Sequence, residues 1–213
     1  SKIKKALLEG GDLVEEAIKK EFKQLIDRNV WSYVKIGENE EIKHFNQLES
    51  RPINSLLNVV QKFDANGELI KWKARFCACG NNQDREMYDE NDLSSPTMTL
   101  ESVFILLAFA AQWDANIVTA DITGAFLESS LEPDDVVYMF LSKDAADELK
   151  KIDPEISKYI LRDGRALVRL LKALYGTLQA AKLWYKKLCK IILEYGFVQH
   201  PNDRCVFIMK LNG

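Results

Sequence analysis

The patterning of this chain predicts an α+β fold, and three observations carry the prediction. Apolar residues recur at Leu13, Ala17, Ile18, Phe22, Leu25 and Ile26, with lysines and glutamates filling most positions between them, the period of an amphipathic helix. Two runs with a period of two, Val59–Asp64 and Leu69–Cys79, flank Ala65-Asn66-Gly67, where Asn-Gly supplies the positive φ angles of a tight hairpin. Further on, a strand over Ala166–Leu171 is followed by a second long helix, Gln179–Tyr195, with Gly196 placed to cap its C-terminus.

The elements can be justified in chain order. Asp12 can cap the first helix, with Glu15 at its third position. Trp31 and Tyr33 begin a connection, and Glu38–Glu49, polar and weakly patterned, reads as loop. In the second hairpin strand, alternation separates Ile70, Trp72, Ala74, Phe76 and Ala78 from Lys71, Lys73, Arg75, Cys77 and Cys79. One face is thus apolar, and the other carries three cations. Asp84–Asp92 is an acidic surface loop.

A helix over about Thr99–Trp113 starts at Thr97 or Thr99 as cap, with Glu101 suited to the dipole of the first turn. It is apolar nearly all round, which predicts a place in the core. A short strand then ends at Asp121, and Val136–Leu141 is another strand. Ser142–Asp163 is a charged helical excursion broken by Pro154. Phe197–Pro201 and Cys205–Leu211 extend as strands, and Trp184, Tyr185, Leu188 and Ile192 fall at core spacing on the long helix.

Bulk properties narrow the function. At 213 residues, 47% hydrophobic and 29% charged, the chain can bury a sizeable core. A net charge of −3 argues against coating nucleic acid by bulk charge, so any such contact needs a local basic surface. Four sparse cysteines and no opening signal peptide favour a reducing interior, with the cytoplasm as the expected setting. Cys77-x-Cys79 has poor spacing for zinc. The longest apolar run, Val103–Ala111, is too short to cross a bilayer, so no membrane partner is expected.

Chemistry concentrates in Asn116–Leu127, a β-prone run ending on Asp121, with Phe126 five residues later. A carboxylate at a strand tip suits a hard divalent cation, although it can equally cap the next turn. Lys71, Lys73 and Arg75 on one strand face suit phosphates, which Arg grips bidentately and Lys meets as a mobile point charge. A solvated face protecting a sheet edge is the bland alternative. Tyr175-Gly176 lies between a strand and a helix, where Gly lets a nucleotide or template base approach the backbone.

Four blocks stand in order: Lys71-Trp72-Lys73-Ala74-Arg75-Phe76 through Gly80-Asn81-Asn82-Gln83; Ser95-Pro96-Thr97 with Leu106–Ala111; Asp121–Leu127; and Leu170–Ala180 with Trp184-Tyr185. Together they resemble the reverse transcriptase of Ty1/copia-type LTR retrotransposons. The resemblance implies a right-hand polymerase fingers and palm, with an incomplete palm sheet packed on helices. Residues 1–56 would be a helix and loop leading into a partial polymerase domain at 57–213. Within it, fingers would run from Leu57 to about Gln83 and return through Val168–Tyr175, and the palm would span Ser95–Tyr138 with the helix near Gln179–Tyr195.

The resemblance also assigns roles. Asp121 would be the first catalytic carboxylate and bind Mg²⁺, or Mn²⁺ in its place, with the Ile122 carbonyl close to the same ion. Lys73 and Arg75 would hold the β- and γ-phosphates of a dNTP, and Phe126 would exclude the ribose 2′-hydroxyl by a clash. Tyr175 and Gly176 would also line the nucleotide, and Lys71 and Gln179 would meet an RNA or DNA template with its primer. After Gln179 the family usually has Pro two residues on, whereas here Ala180 and Ala181 follow.

The family's Tyr-x-Asp-Asp hairpin does not occur in the sequence. In relatives it follows a strand like Cys205–Leu211, and Asn212-Gly213 promises a turn into a partner strand, so the expectation is a fragment whose parent polyprotein supplies the remainder. Such a segment alone is expected to have little or no polymerase activity. The competing expectation is a non-catalytic nucleic-acid-binding or interaction protein derived from a retroelement.

Overall fold

The structure is a computed structural model, and it describes residues 2–36, 50–90 and 93–210. It is a mixed α+β arrangement built on one five-stranded sheet. The strands are β1 (Trp31–Tyr33), β2 (Ile53–Phe63), β3 (Leu69–Ala78), β4 (Tyr138–Leu141) and β5 (Ala166–Leu170), in the order β1-β5-β4-β2-β3. All neighbours run antiparallel except β2 and β4, which pair in parallel at Ile53–Met139 and Asn54–Phe140.

The first helix, α1 (Lys2–Asp27), lies across the apolar face of the β2–β3 hairpin. A break at Gly11 (φ 47°, ψ −129°) separates its first turns from the stripe that begins after Asp12. Ile18, Phe22 and Leu25 of that stripe are almost wholly buried against Leu57, Ala74 and Phe76. The Phe76 ring meets Phe22 at 5.3 Å in a tilted contact and Trp31 edge-on at 5.9 Å, geometries that the ring quadrupoles favour. One core therefore joins α1 to the sheet, and the expected boundary between residues 56 and 57 falls inside β2.

The hairpin keeps the alternation its sequence predicts. Ala74, Phe76 and Ala78 are buried, whereas Lys71, Lys73 and Arg75 are exposed on the opposite face. Beyond the sheet come α2 (Leu100–Gln112), α3 (Lys143–Lys150), α4 (Ala180–Glu194) and a small ribbon of β6 (Val198–Gln199) with β7 (Phe207–Ile208).

Several expectations need correction. The strand over Asn116–Asp121 does not form: the segment has no regular structure and is exposed, with Ile117 63% and Val118 87% accessible, because no described strand lies beside it to complete a ladder. The helix expected in the core, α2, has no buried residue among those described, and Phe104 is 66% accessible. Trp184, Tyr185, Leu188 and Ile192 are half-buried, since α4 presses only its first turn and one flank against the body. Trp31–Tyr33 is a strand paired to β5 and not a connection. The loop expected at Glu38–Glu49 lies outside the described residues.

The N-terminus of α2 is nonetheless held firmly. Thr99 caps it, its side chain accepting from the Ser102 N–H at 3.2 Å, while the Thr99 N–H donates to Asp203 Oδ2 at 3.0 Å. The Ser102 hydroxyl, the Cys205 N–H and the Thr99 N–H together hold the Asp203 carboxyl well below the usual carboxylate range, at about 2. A depressed folded pKa contributes stability that is fully present above the unfolded value near 3.9 and lost as pH falls towards about 2. Wild-type melting temperature should fall between these pH values more steeply than that of Asp203→Asn, as thermal scans at stepped pH would read.

Candidate nucleotide and metal site

Four of the residues singled out from sequence, Arg75, Tyr175, Phe126 and Asp121, lie near one another beside β3. Arg75 projects from the exposed face, and its guanidinium carbon lies 4.9 Å from the centre of the Tyr175 ring. The Tyr175 ring packs edge-on against Phe126, with centroids 5.1 Å apart and planes at 61°. Asp121 is exposed at the rim and lies within electrostatic reach of the Tyr175 phenol. Burial pushes that phenol up most, Arg75 pulls it down, and Glu21 and Asp121 push it up. A cation, two rings and a carboxylate thus adjoin one another.

Local folding explains how each is placed. The chain turns after Asp121 with the Ala125 N–H donating to the Ile122 carbonyl at 3.2 Å, and Gly124 takes φ 71° to start the 3₁₀ turn Ala125–Glu128. Leu127 of that turn is fully buried, Glu128 pairs with Arg28 at 3.0 Å, and Lys187 of α4 donates to the Glu128 carbonyl. Phe126 is thereby held half-buried against Tyr175 on a turn that is anchored on both sides. Just beyond it, the Ala173 N–H donates to the Ser129 carbonyl and the Leu131 N–H to that of Leu171, which brings the Tyr175 strand alongside.

Tyr175 and Gly176 are fixed to β3 by backbone. Ala78 N–H donates to the Tyr175 carbonyl at 2.8 Å, and Gly80 N–H to the Gly176 carbonyl at 3.1 Å. A side chain on Gly176, whose φ is 92°, would strike the Ala78 carbonyl, and one on Gly80 would strike the Gly176 carbonyl. The close approach that Gly176 permits is therefore occupied by β3.

Behind this turn, Gln179 is buried and engaged. Its Nε2 donates to Asp135 Oδ2 at 2.8 Å and its Oε1 accepts from Gln83 Nε2 at 3.2 Å, while Gln83 Oε1 accepts from the Leu178 N–H at 2.9 Å. Tyr88 completes the network, donating to Asp135 Oδ1 at 2.9 Å.

The sequence reading missed two features. Lys62 of β2 stands opposite Lys71 on the cationic face. Like charges directly opposite on a sheet repel, so this pair suits an anionic ligand; counting two strands instead of one would have found it. Glu21 is the other: it is buried on the apolar side of α1, one position before Phe22, where a carboxylate is out of pattern. The site itself is an open face. A concavity of about 690 Å³ between α1 and α3 lies elsewhere and is lined by charged residues such as Lys19, Lys23 and Glu148.

A basic hairpin face thus lies beside a carboxylate-bearing turn, and comparison with known proteins gives the class. The chain belongs to the family of reverse transcriptases (RNA-dependent DNA polymerases), whose model matches residues 45–213.

Its relatives are of the Ty1/copia type. It is 33% identical over 155 residues to the retrovirus-related Pol polyprotein from transposon RE2 of Arabidopsis thaliana, covering 70% of this chain and 9% of that protein. Identity to the Pol polyprotein from transposon RE1 of the same plant is 32% over 150 residues, with the same two coverages. To that from transposon TNT 1-94 of Nicotiana tabacum it is 25% over 162 residues, 76% of this chain and 11% of the relative. The chain thus spans about a tenth of the length of these relatives. No solved structure gives a significant match. Among the described residues no helix is long and apolar enough to cross a membrane.

Proposed function

We propose that this chain is the fingers and part of the palm of an RNA-directed DNA polymerase, and that its open face receives an incoming dNTP. The observation that carries the reading is the stack of Arg75 on Tyr175 on Phe126 with Asp121 at its rim. Lys73 and Arg75 hold the triphosphate; neither has an ion-pair partner among the described residues. Phe126 sits beneath the sugar and leaves no room for a 2′-hydroxyl. Lys71, with Lys62 beside it, faces template phosphates, and Gln179 acts from behind by holding the Tyr175–Leu178 turn through Gln83.

The donor set fits one side of a magnesium shell. Mg²⁺ is commonly held by one or two carboxylates, with substrate phosphates and water completing the octahedron, and Asp121 is an exposed carboxylate within electrostatic reach of Tyr175, the ring on which Arg75 lies. The Ile122 carbonyl, which accepts one N–H, keeps a second lone pair. Mn²⁺ suits the same oxygen donors. Bound there, the ion would neutralise phosphate charge during attack by a primer 3′-hydroxyl. Two-metal transfer needs more than one carboxylate, so the parent Pol polyprotein, acting in the cytoplasm on a primed RNA or DNA template, carries the activity. Residues 57–213 are its partial polymerase domain, residues 1–56 the helix and loop leading into it, and the chain alone is inactive.

The test is dTTP binding by calorimetry with and without Mg²⁺. Wild type should bind about tenfold more tightly with the ion, a gain of the size expected for a charge-assisted contact, and Asp121→Asn should lose that gain. An equal gain in both proteins would remove Asp121 as a ligand and leave the non-catalytic nucleic-acid-binding reading.

A further inference from the structure

Along an antiparallel strand, every second residue turns its N–H away from the paired neighbour. On the outer edge of β3, Gly80 gives this proton to Gly176 and Ala78 gives it to Tyr175. The next outward donor back along the strand is Phe76, and there the Tyr175 backbone is no longer alongside. Its place is taken by a side chain: Glu21 Oε1 of α1 accepts from the Phe76 N–H at 2.8 Å. The other carboxylate oxygen accepts from Gln24 Nε2 at 2.6 Å. A carboxylate inside a helix–sheet interface is costly and is tolerated only when hydrogen-bonded or paired. Burial pushes this one up, and Phe76 N–H, Gln24, Arg75 and Lys73 in turn pull it down, so two of the cations of the open face, Arg75 and Lys73, lie within its field.

We propose that Glu21 is a positioning residue of the basic strand: it closes the outer ladder of β3 where Tyr175 departs, and so keeps Arg75 over the Tyr175 ring in the geometry that meets phosphates. The inference rests on the reading of Arg75 as a phosphate ligand. Arg75 directly precedes Phe76, two residues before the Ala78–Tyr175 bond, so the side chain leaves a stretch of strand pinned at two consecutive outward donors. Without Glu21 only the later pin remains.

Two substitutions separate the acceptor from the charge. Glu21→Met fills the same volume with no acceptor, and Glu21→Gln keeps an acceptor oxygen without the charge. With inorganic tripolyphosphate as the probe and calorimetry on the whole chain, Glu21→Met should bind about tenfold more weakly, and the Phe76 amide should lose its hydrogen-exchange protection. Glu21→Gln should bind at least as tightly as wild type, because removing a negative charge near the cations cannot weaken an anion, and its Phe76 amide should stay protected. Tenfold weaker binding in Glu21→Gln overturns the proposal, whether or not Glu21→Met folds. So does wild-type binding by a folded Glu21→Met, provided Arg75→Ala still weakens the probe; that outcome leaves the phosphate reading intact. Unchanged binding in Arg75→Ala removes that reading and this inference with it.

Discussion

Replacing Gly176 by alanine should lower the melting temperature by about 10 °C, the equivalent of about 3 kcal/mol at 2–4 °C per kcal/mol for a chain of this size. Two costs add. The first is conformational: φ at this residue is 92°, a region that costs a residue with a Cβ about 1–3 kcal/mol. The second is steric, because the new methyl would meet the Ala78 carbonyl, and relieving that contact pulls the turn off β3 at about 1–3 kcal/mol, as for other overpacked sites. Gly80→Ala isolates the second cost, since its φ is not in the positive region and its methyl would meet the Gly176 carbonyl. It should therefore destabilise by about half as much. Differential scanning of both variants decides the matter, and a Gly80→Ala protein that melts with the wild type would show that the crossing of β3 and the Tyr175–Gly176 turn is looser than its hydrogen bonds indicate.

That crossing also marks the limit of what sequence can show. A Gly after Tyr175 announces an approach to the backbone, yet the approaching group is β3 from about 100 residues earlier, and no local pattern encodes it. Where physics is local, the sequence was legible. The turn forms at Asn66-Gly67, although Gly67 at φ 83° and not Asn66 takes the positive angle, and the period of two sorts buried Ala74 and Phe76 from exposed Lys73 and Arg75. Of the two caps the sequence offers, Thr97 and Thr99, Thr99 caps α2.

Legibility failed where a residue's fate depends on a partner. Val118 has a strand former's side chain, but a strand needs a neighbour, and none of the described segments pairs with it. The apolar girth of α2 predicts burial, yet hydrophobicity states only what a helix would gain by burial, not whether another surface is there to provide it. Trp31–Tyr33 becomes a strand because β5 offers a free edge at Val168–Leu170. Within the site, Arg75, Tyr175, Phe126 and Asp121 were named from separate blocks, and their common location follows from the sheet and from the buried anchor at Leu127.

The largest effect on binding is expected at Arg75. Arg75 is exposed, its guanidinium carbon lies over the Tyr175 ring at 4.9 Å in a cation–π contact, and it carries a fork of donors that matches two phosphate oxygens at once. A charged hydrogen-bonded contact of this kind is worth about 1.5–3 kcal/mol. Arg75→Ala should therefore weaken tripolyphosphate and dTTP binding by about ten- to a hundredfold, nearer the upper limit because the orienting stack is lost as well. Arg75→Lys keeps the charge but loses both fork and stack, so it should recover only part of that affinity. Raising salt discriminates the terms: an interaction of bare charges fades within a Debye length, whereas the difference between Arg and Lys, which is geometric, should persist from 50 to 300 mM salt. Both variants should melt within about 2 °C of wild type, because exposed substitutions of this kind change stability by about 0.5 kcal/mol or less. If Arg75→Lys binds as tightly as wild type at every salt concentration, the guanidinium geometry is irrelevant. The stack on Tyr175 would then be a packing contact on a solvated strand face and not part of a nucleotide site.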